Sequence, residues 1–200
     1  MRMFDRLLFK WRAAVARPWV PTGANVLDVG CHQGEFLRGL GKTIGPSVGL
    51  DPYTTESTGH LTLRADRFPP ADPLPSEAYD TVVMLATLEH IQDKDEVAAS
   101  CARLLRPGGR VVITVPSPRV DAIIGVLQLL RLADGMSVDE HHGFDQARTP
   151  EVFTRHGFEL EHYRRFQLGL NHLYVFRKSA RGLRPLPIAT SRSARDRNVR

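Results

Sequence analysis

Three aspartates and two glycines stand where a small ligand could be gripped. Asp28, Asp51 and Asp66 each lie in or just after a short apolar run, and Gly30 and Gly34 bracket the stretch that follows the first. A carboxylate accepts hydrogen bonds and attracts positive charge; a glycine lets the backbone turn sharply and approach a ligand closely. Asp51 is placed to accept both hydroxyls of a ribose, and Asp66 to accept from the exocyclic amine of a base. The set describes a nucleoside-shaped site. A dinucleotide pocket wants Gly-x-Gly-x-x-Gly, so that a pyrophosphate can lie on bare backbone. Here His32 takes the second glycine position and Glu35 the last, and Glu35 would repel a pyrophosphate. Asp28, just before the first glycine, points instead to a ligand that carries positive charge. An adenosine with a sulfonium and an amino-acid tail fits those demands better than a nicotinamide dinucleotide.

Such a site needs strand ends to hold it, because open α/β sheets bind ligands outside the carboxyl ends of their strands. The sequence offers strands at Val26–Gly30, Ser47–Asp51, Leu61–Ala65, Asp80–Leu85 and Gly109–Val115, each short and apolar as central parallel strands are. Between them, Gly34–Lys42 and Asp93–Leu105 carry apolar residues at helical spacing, and Arg106-Pro107-Gly108-Gly109 is expected to stop the second helix. Phe4, Leu7, Leu8 and Trp11 recur at helical spacing, which predicts an amphipathic helix over Met3–Ala16 packing on the domain through that stripe. Thr149 reads as the N-cap of a later helix, with Pro150 at its first position. Phe158–Arg164 and Leu173–Arg177 alternate apolar with polar, as a terminal antiparallel hairpin would. The Pro-rich stretch Phe68–Pro75 reads as a loop within the domain.

Several of these motifs, taken in order, carry a resemblance. Val26-Leu27-Asp28-Val29-Gly30-Cys31-His32-Gln33-Gly34-Glu35-Phe36, Gly49-Leu50-Asp51-Pro52, Ala65-Asp66 ahead of Tyr79-Asp80-Thr81-Val82-Val83, Leu88-Glu89-His90-Ile91 and Leu104-Leu105-Arg106-Pro107-Gly108-Gly109-Arg110 are similar to the class I S-adenosylmethionine-dependent methyltransferases. The resemblance implies an α/β fold: a Rossmann-like, doubly wound, mostly parallel seven-stranded sheet with an antiparallel final strand. It implies S-adenosyl-L-methionine as methyl donor. Asp28, Gly30 and Gly34 would surround the methionyl end, Asp51 would hold the ribose, Asp66 would meet the adenine amine, Leu85 and Ala86 would line the pocket, and Cys31, His32 and Pro52 would also belong to the cofactor site. His32 departs from the glycine common at its place; its side chain is expected to point outward while its backbone serves the cofactor.

Methyl transfer from a sulfonium needs little beyond alignment and exclusion of water, since the leaving group is excellent. A base matters only where the acceptor must lose a proton, as a hydroxyl does. His90 and Glu89, after the fourth strand, read either as such groups or as hydrogen-bonded residues that shape the loop. His142, with His141, lies in a polar loop that would arch over the acceptor, and reads as an acceptor contact or a solvated turn. Adjacent histidines without a further partner are a poor metal site, so no metal is expected. Cys31 and Cys101 read as buried fillers.

The chain has 200 residues, 42% of them apolar and 8% aromatic, enough for one domain with a real core. Its formal charge of +5 sits in the tail: residues 177–200 hold eight basic residues against Asp196, and residues 1–176 carry −2. The expected layout is therefore an N-terminal helix over 1–21, a methyltransferase domain over 22–177, and a basic, disordered tail over 178–200. No apolar run spans a bilayer, and no signal-like segment or disulfide framework is read, so a cytoplasmic enzyme is expected. The apolar stretch Ile123–Leu130 suggests a buried helix, self-association into a homodimer, or a cover for a partly hydrophobic acceptor. The reading is methyl transfer to a small molecule at oxygen, without DNA. RNA or protein methylation using the tail, and a catalytically silent binding protein, are the alternatives.

Overall fold

The computed structural model describes residues 3–54, 57, 59–117 and 146–179. Seven strands form one sheet in the order β3-β2-β1-β4-β5-β7-β6. They are β1 (Val26–Val29), β2 (Ser47–Leu50), β3 (Leu61–Arg64), β4 (Tyr79–Leu85), β5 (Leu105–Pro116), β6 (Phe158–Phe166) and β7 (Asn171–Lys178). The pairs β1–β2, β2–β3, β1–β4 and β4–β5 are parallel, and β7 runs antiparallel to both β5 and β6. This is the expected Rossmann-like sheet. The chain fills one half from β1 outward to β3 and then returns to β4 on the other side of β1. A crevice therefore opens at the carboxyl ends of β1 and β4.

Alternation along the strands builds two cores. Leu27, Met84, Ile113, Tyr174 and Phe176 face one way, against α3 (Lys94–Leu104) and α4 (Thr149–Arg155). Val26, Val83, Val112, Leu173 and Val175 face the other, against α1 (Met3–Ala16) and α2 (Glu35–Leu40). On the first face the Phe153 ring stacks on Phe176 at 4.8 Å and meets Phe158 edge-on at 5.7 Å. α3 starts where Asp93 Oδ1 accepts from the Glu96 amide at 2.8 Å, a cap worth about 1 kcal/mol, with Asp95 and Glu96 favourably placed in the first turn.

Four local expectations change. Two residues of the stripe expected to pack α1 on the domain are turned outward: Leu7 and Trp11 are 61% and 44% exposed and Leu8 is half-buried, while Phe9, Ala13 and Ala16 pack on the sheet. Small residues at 13 and 16 let the helix lie close, which the larger side chains would prevent. The cap of α4 is Arg148, with no side-chain bond, and Thr149 is instead its buried first residue. α3 ends at Leu104 as its breakers require, but β5 begins at once, ahead of the expected Gly109: Leu105 pairs with Tyr79 and Arg110 with Thr81, so Arg106–Gly109 form an irregularity inside the strand. β7 does not alternate in burial, because β6 covers its edge and both faces are packed; Asn171 and His172 are buried with the apolar residues.

Candidate functional site

At the crevice, the backbone leaves β1 through Gly30 with φ of 75°. A Cβ there would lie 2.3 Å from Thr87 Oγ1, in the loop after β4, so glycine is required by both conformation and space. The loop bends again at His32, φ 51°, and at Gly34, φ 75°. A left-handed histidine costs of order 1–3 kcal/mol and persists only where its surroundings fix it. What fixes it is Asp51: the His32 amide donates to Asp51 Oδ2 at 2.9 Å, and the Tyr53 amide donates to Oδ1 at 2.9 Å. Asp51 thus ties the ends of β1 and β2 together while each oxygen keeps a lone pair.

The His32 ring does point outward, its side chain 59% exposed, with Nδ1 2.9 Å from Glu35 Oε1. Glu35 Oε2 accepts from the Gln33 amide at 3.1 Å, so its carboxylate takes up a loop N–H of the kind a pyrophosphate would use. Burial works to raise the Glu35 carboxyl, but the bonds from His32 and from backbone amides outweigh it and hold the group below its ordinary value. Gln33 Nε2 donates to the Tyr53 carbonyl at 3.0 Å, a second tie between the same loops.

Asp28 lies within β1, only 2% exposed, and its Oδ2 has no hydrogen-bond partner among the described residues. Burial first, then the charges of Glu35 and Asp51, push its pKa up to about 8. A buried carboxyl with an unpartnered oxygen, under the influence of two other acids, is the arrangement that a cation would relieve. The same burial raises the Cys31 thiol, with Asp28 and Asp51 adding to it, so Cys31 is an inert filler; its Sγ would sit 2.6 Å from a Cβ at Gly49. Asp66, at the end of β3, has Oδ2 3.2 Å from Arg64 and Oδ1 2.8 Å from the Arg67 amide. Those bonds orient the carboxylate within its own loop. Pro52 is exposed, and Leu85 and Ala86 are half-buried at the end of β4.

Ala86 also adopts a left-handed φ of 56°. Its amide donates to the carbonyl and the hydroxyl of Thr114 at 2.9 and 3.1 Å, which holds β4 against β5 at the mouth of the crevice. Beyond it, Glu89 is buried and His90 exposed. Burial lowers the Lys94 ammonium, and the nearby charges of Glu89 and Asp93 oppose that shift, so Glu89 has a cation close by. His142 lies outside the described residues, as do His141, Ile123–Leu130 and most of the basic tail.

The sequence reading missed Thr87 and Thr114, which shape the crevice through contacts that only strand register reveals. It also missed Tyr53, whose ring is 77% exposed beside Asp51; an aromatic two residues past the strand-end acid was the available signal. At the far end of the same edge, buried Asn171 Oδ1 and His172 Nε2 lack hydrogen-bond partners among the described residues, while His172 Nδ1 lies 2.9 Å from Tyr163 Oη. No cluster that could hold a metal ion occurs among the described residues. No helix among them is long and apolar enough to cross a membrane.

A family model described as a methyltransferase domain matches residues 2–163. The chain belongs to the methyltransferase-domain family. Among curated relatives of this methyltransferase-family chain, the ubiquinone biosynthesis O-methyltransferase of Aliivibrio fischeri is 32% identical over 127 residues, covering 55% of this chain and 53% of that protein. Its counterpart in Psychrobacter cryohalolentis is 28% identical over 167 residues, covering 75% and 63%. The chain spans little more than half the length of the Aliivibrio protein. Among solved structures, an S-adenosylmethionine-dependent methyltransferase from Mesorhizobium loti superposes with TM-score 0.63 at 16% identity, over 82% of this chain and 96% of that one. The 1,6-didemethyltoxoflavin N1-methyltransferase of Burkholderia thailandensis, solved with S-adenosylhomocysteine, superposes with TM-score 0.65 at 17% identity, over 88% and 80%. At those identities the likeness is one of fold.

Proposed function

We propose that this chain transfers a methyl group from S-adenosylmethionine to an oxygen of a small-molecule acceptor. The observation that carries the reading is the buried Asp28 carboxyl with an unpartnered oxygen, set at the β1–β4 crevice beside Asp51. These residues fit the group: an α-ammonium near Asp28 would supply the missing partner, and the free lone pairs of Asp51 suit two ribose hydroxyls. Asp66 would accept from the adenine amine. Gly30, Cys31, His32 and Gly34 would offer backbone, and Pro52, Leu85 and Ala86 would line the walls. When bound, the cofactor supplies an activated methyl on a sulfonium. The chain's part is to align the acceptor with it and keep water out.

Oxygen as the acceptor atom is favoured by the O-methyltransferase names of the curated relatives, and a hydroxyl must lose its proton. Exposed His90, on the loop that leads from β4, would take that proton, with buried Glu89 holding the loop. His142, outside the described residues, is a further candidate. A partly hydrophobic acceptor and a cytoplasmic setting complete the proposal. Incubation with isotope-labelled methyl donor and a metabolite extract, followed by mass spectrometry, should place the label on the oxygen of a small molecule. Label in RNA or protein, or donor binding with no transfer to any acceptor, would displace this reading.

A further inference from the structure

The outward face of α1 is apolar, and nothing in its own fold requires that. Leu7 and Trp11, one helical turn apart, are 61% and 44% exposed. Leu8 borders them on one flank, and its carbonyl accepts from Gln167 Nε2 at 3.0 Å, which brings the β6–β7 turn against that flank. The turn carries Leu168, 96% exposed and held at a left-handed φ of 57°. Gln167, at φ 50°, is buried and also accepts from Asn171 Nδ2, so the turn is anchored rather than loose. A leucine that is both strained and wholly exposed contributes nothing to the described core. On the other flank of the stripe run Arg6 and Lys10, also one turn apart and exposed.

Charge identifies the occupant. Residues 1–17 carry Arg2, Arg6, Lys10, Arg12 and Arg17 against Asp5, a formal +4, whereas residues 18–176 carry −6. A two-fold interface through this face would set one cationic helix against another, which opposes a second copy as partner. A leucine and tryptophan stripe bordered along one flank by the basic side chains Arg6 and Lys10 is the pattern of a helix lying in a lipid interface, with its aromatic ring at headgroup depth and its cations on anionic lipid. We infer that Leu7, Trp11 and Leu168, with Arg6 and Lys10, seat this chain on an anionic membrane surface. The inference stands apart from the methyl-transfer reading, since it concerns binding alone.

The test uses the full chain and sedimentation with vesicles of phosphatidylcholine, alone or with about one part in four phosphatidylglycerol. The triple variant Leu7→Ser, Trp11→Ser, Leu168→Ser keeps every charge, including the basic residues of 178–200. It should bind the anionic vesicles at least about tenfold more weakly than the parent, with an unchanged melting temperature. The double variant Arg6→Gln, Lys10→Gln keeps the apolar stripe and should lose about tenfold as well. In a Trp19→Phe background, Trp11 emission should shift to the blue on the anionic vesicles. Equal binding by parent and triple variant would overturn the inference, because the tail alone would then be the binding element. So would an unmoved Trp11 spectrum, or a parent dimer that the triple variant converts to monomer.

Discussion

The β1–α2 loop and the β6–β7 turn lie on the same edge of the sheet, and each bends through three left-handed residues. In the first these are Gly30, His32 and Gly34; in the second, Gln167, Leu168 and Gly169. The first loop turns polar groups inward, where the His32 amide meets Asp51 and Asp28 stays buried beside them. The second buries one amide side chain to fasten α1 and leaves a leucine almost bare to solvent. The same backbone device therefore serves ligand-facing geometry at one end of the edge and surface-facing geometry at the other. What separates the two is the side chain at each bend and the neighbour that fixes it.

Substitutions should separate the two loops, and the largest effect belongs to the first. Gly30→Ala adds a Cβ that collides with Thr87 and forces alanine into left-handed backbone. A loss of about 3 kcal/mol or more, read by denaturant titration, is expected; a neutral result would show that Thr87 moves freely. Asp51→Ala removes charge-assisted bonds of about 1.5–3 kcal/mol each. Calorimetry should show donor affinity falling roughly 150-fold or more for the pair of bonds, and unchanged affinity would remove Asp51 from the proposed site.

In the second loop, Gln167→Ala removes the bond to the Leu8 carbonyl and leaves the Asn171 amide without its acceptor. It should cost about 1–3 kcal/mol of stability without changing donor affinity. A change in affinity would mean that the two loops are coupled. Leu168→Gly should be the mildest, within about 1 kcal/mol of the parent and on the stabilising side, since glycine relieves the left-handed strain at no packing cost.

Asp28 adds a pH dependence that belongs to the first region. Its carboxyl keeps its proton up to about pH 8 in the native chain but loses it near its ordinary value when unfolded. Between roughly pH 4 and 8 the native state thus binds the extra proton, so this group's contribution lowers stability as pH rises and levels off above about 8. Asp28→Asn should remove that slope, gaining about 1–3 kcal/mol over the parent at pH 8 relative to pH 4. Binding of a cationic donor beside Asp28 should release a proton near neutral pH, which calorimetry in buffers of different ionisation enthalpy detects. Parallel stability profiles for parent and variant would place the Asp28 charge elsewhere.

Much of the first region was legible because its chemistry is local. Val26-Leu27-Asp28-Val29-Gly30 and Gly49-Leu50-Asp51 each announce a strand, a turn and an acid within a few residues, and α/β topology puts those turns on one edge. The second region was not legible. Gln167, Leu168 and Leu8 are joined across 159 positions, and no spacing rule links them.

By itself, the sequence determined the strand and helix order, the parallel sheet with its antiparallel partner, and the acids and glycines at the crevice, because hydrophobic period and turn chemistry act over short stretches. Only the tertiary structure decided which face of α1 is buried, that Asp28 Oδ2 lacks a hydrogen-bond partner among the described residues, that Asp66 is held by Arg64, and that Thr87 rather than a ligand makes Gly30 obligatory. Those outcomes depend on which of several apolar or polar neighbours the topology brings into contact, and close packing allows only one arrangement to fit.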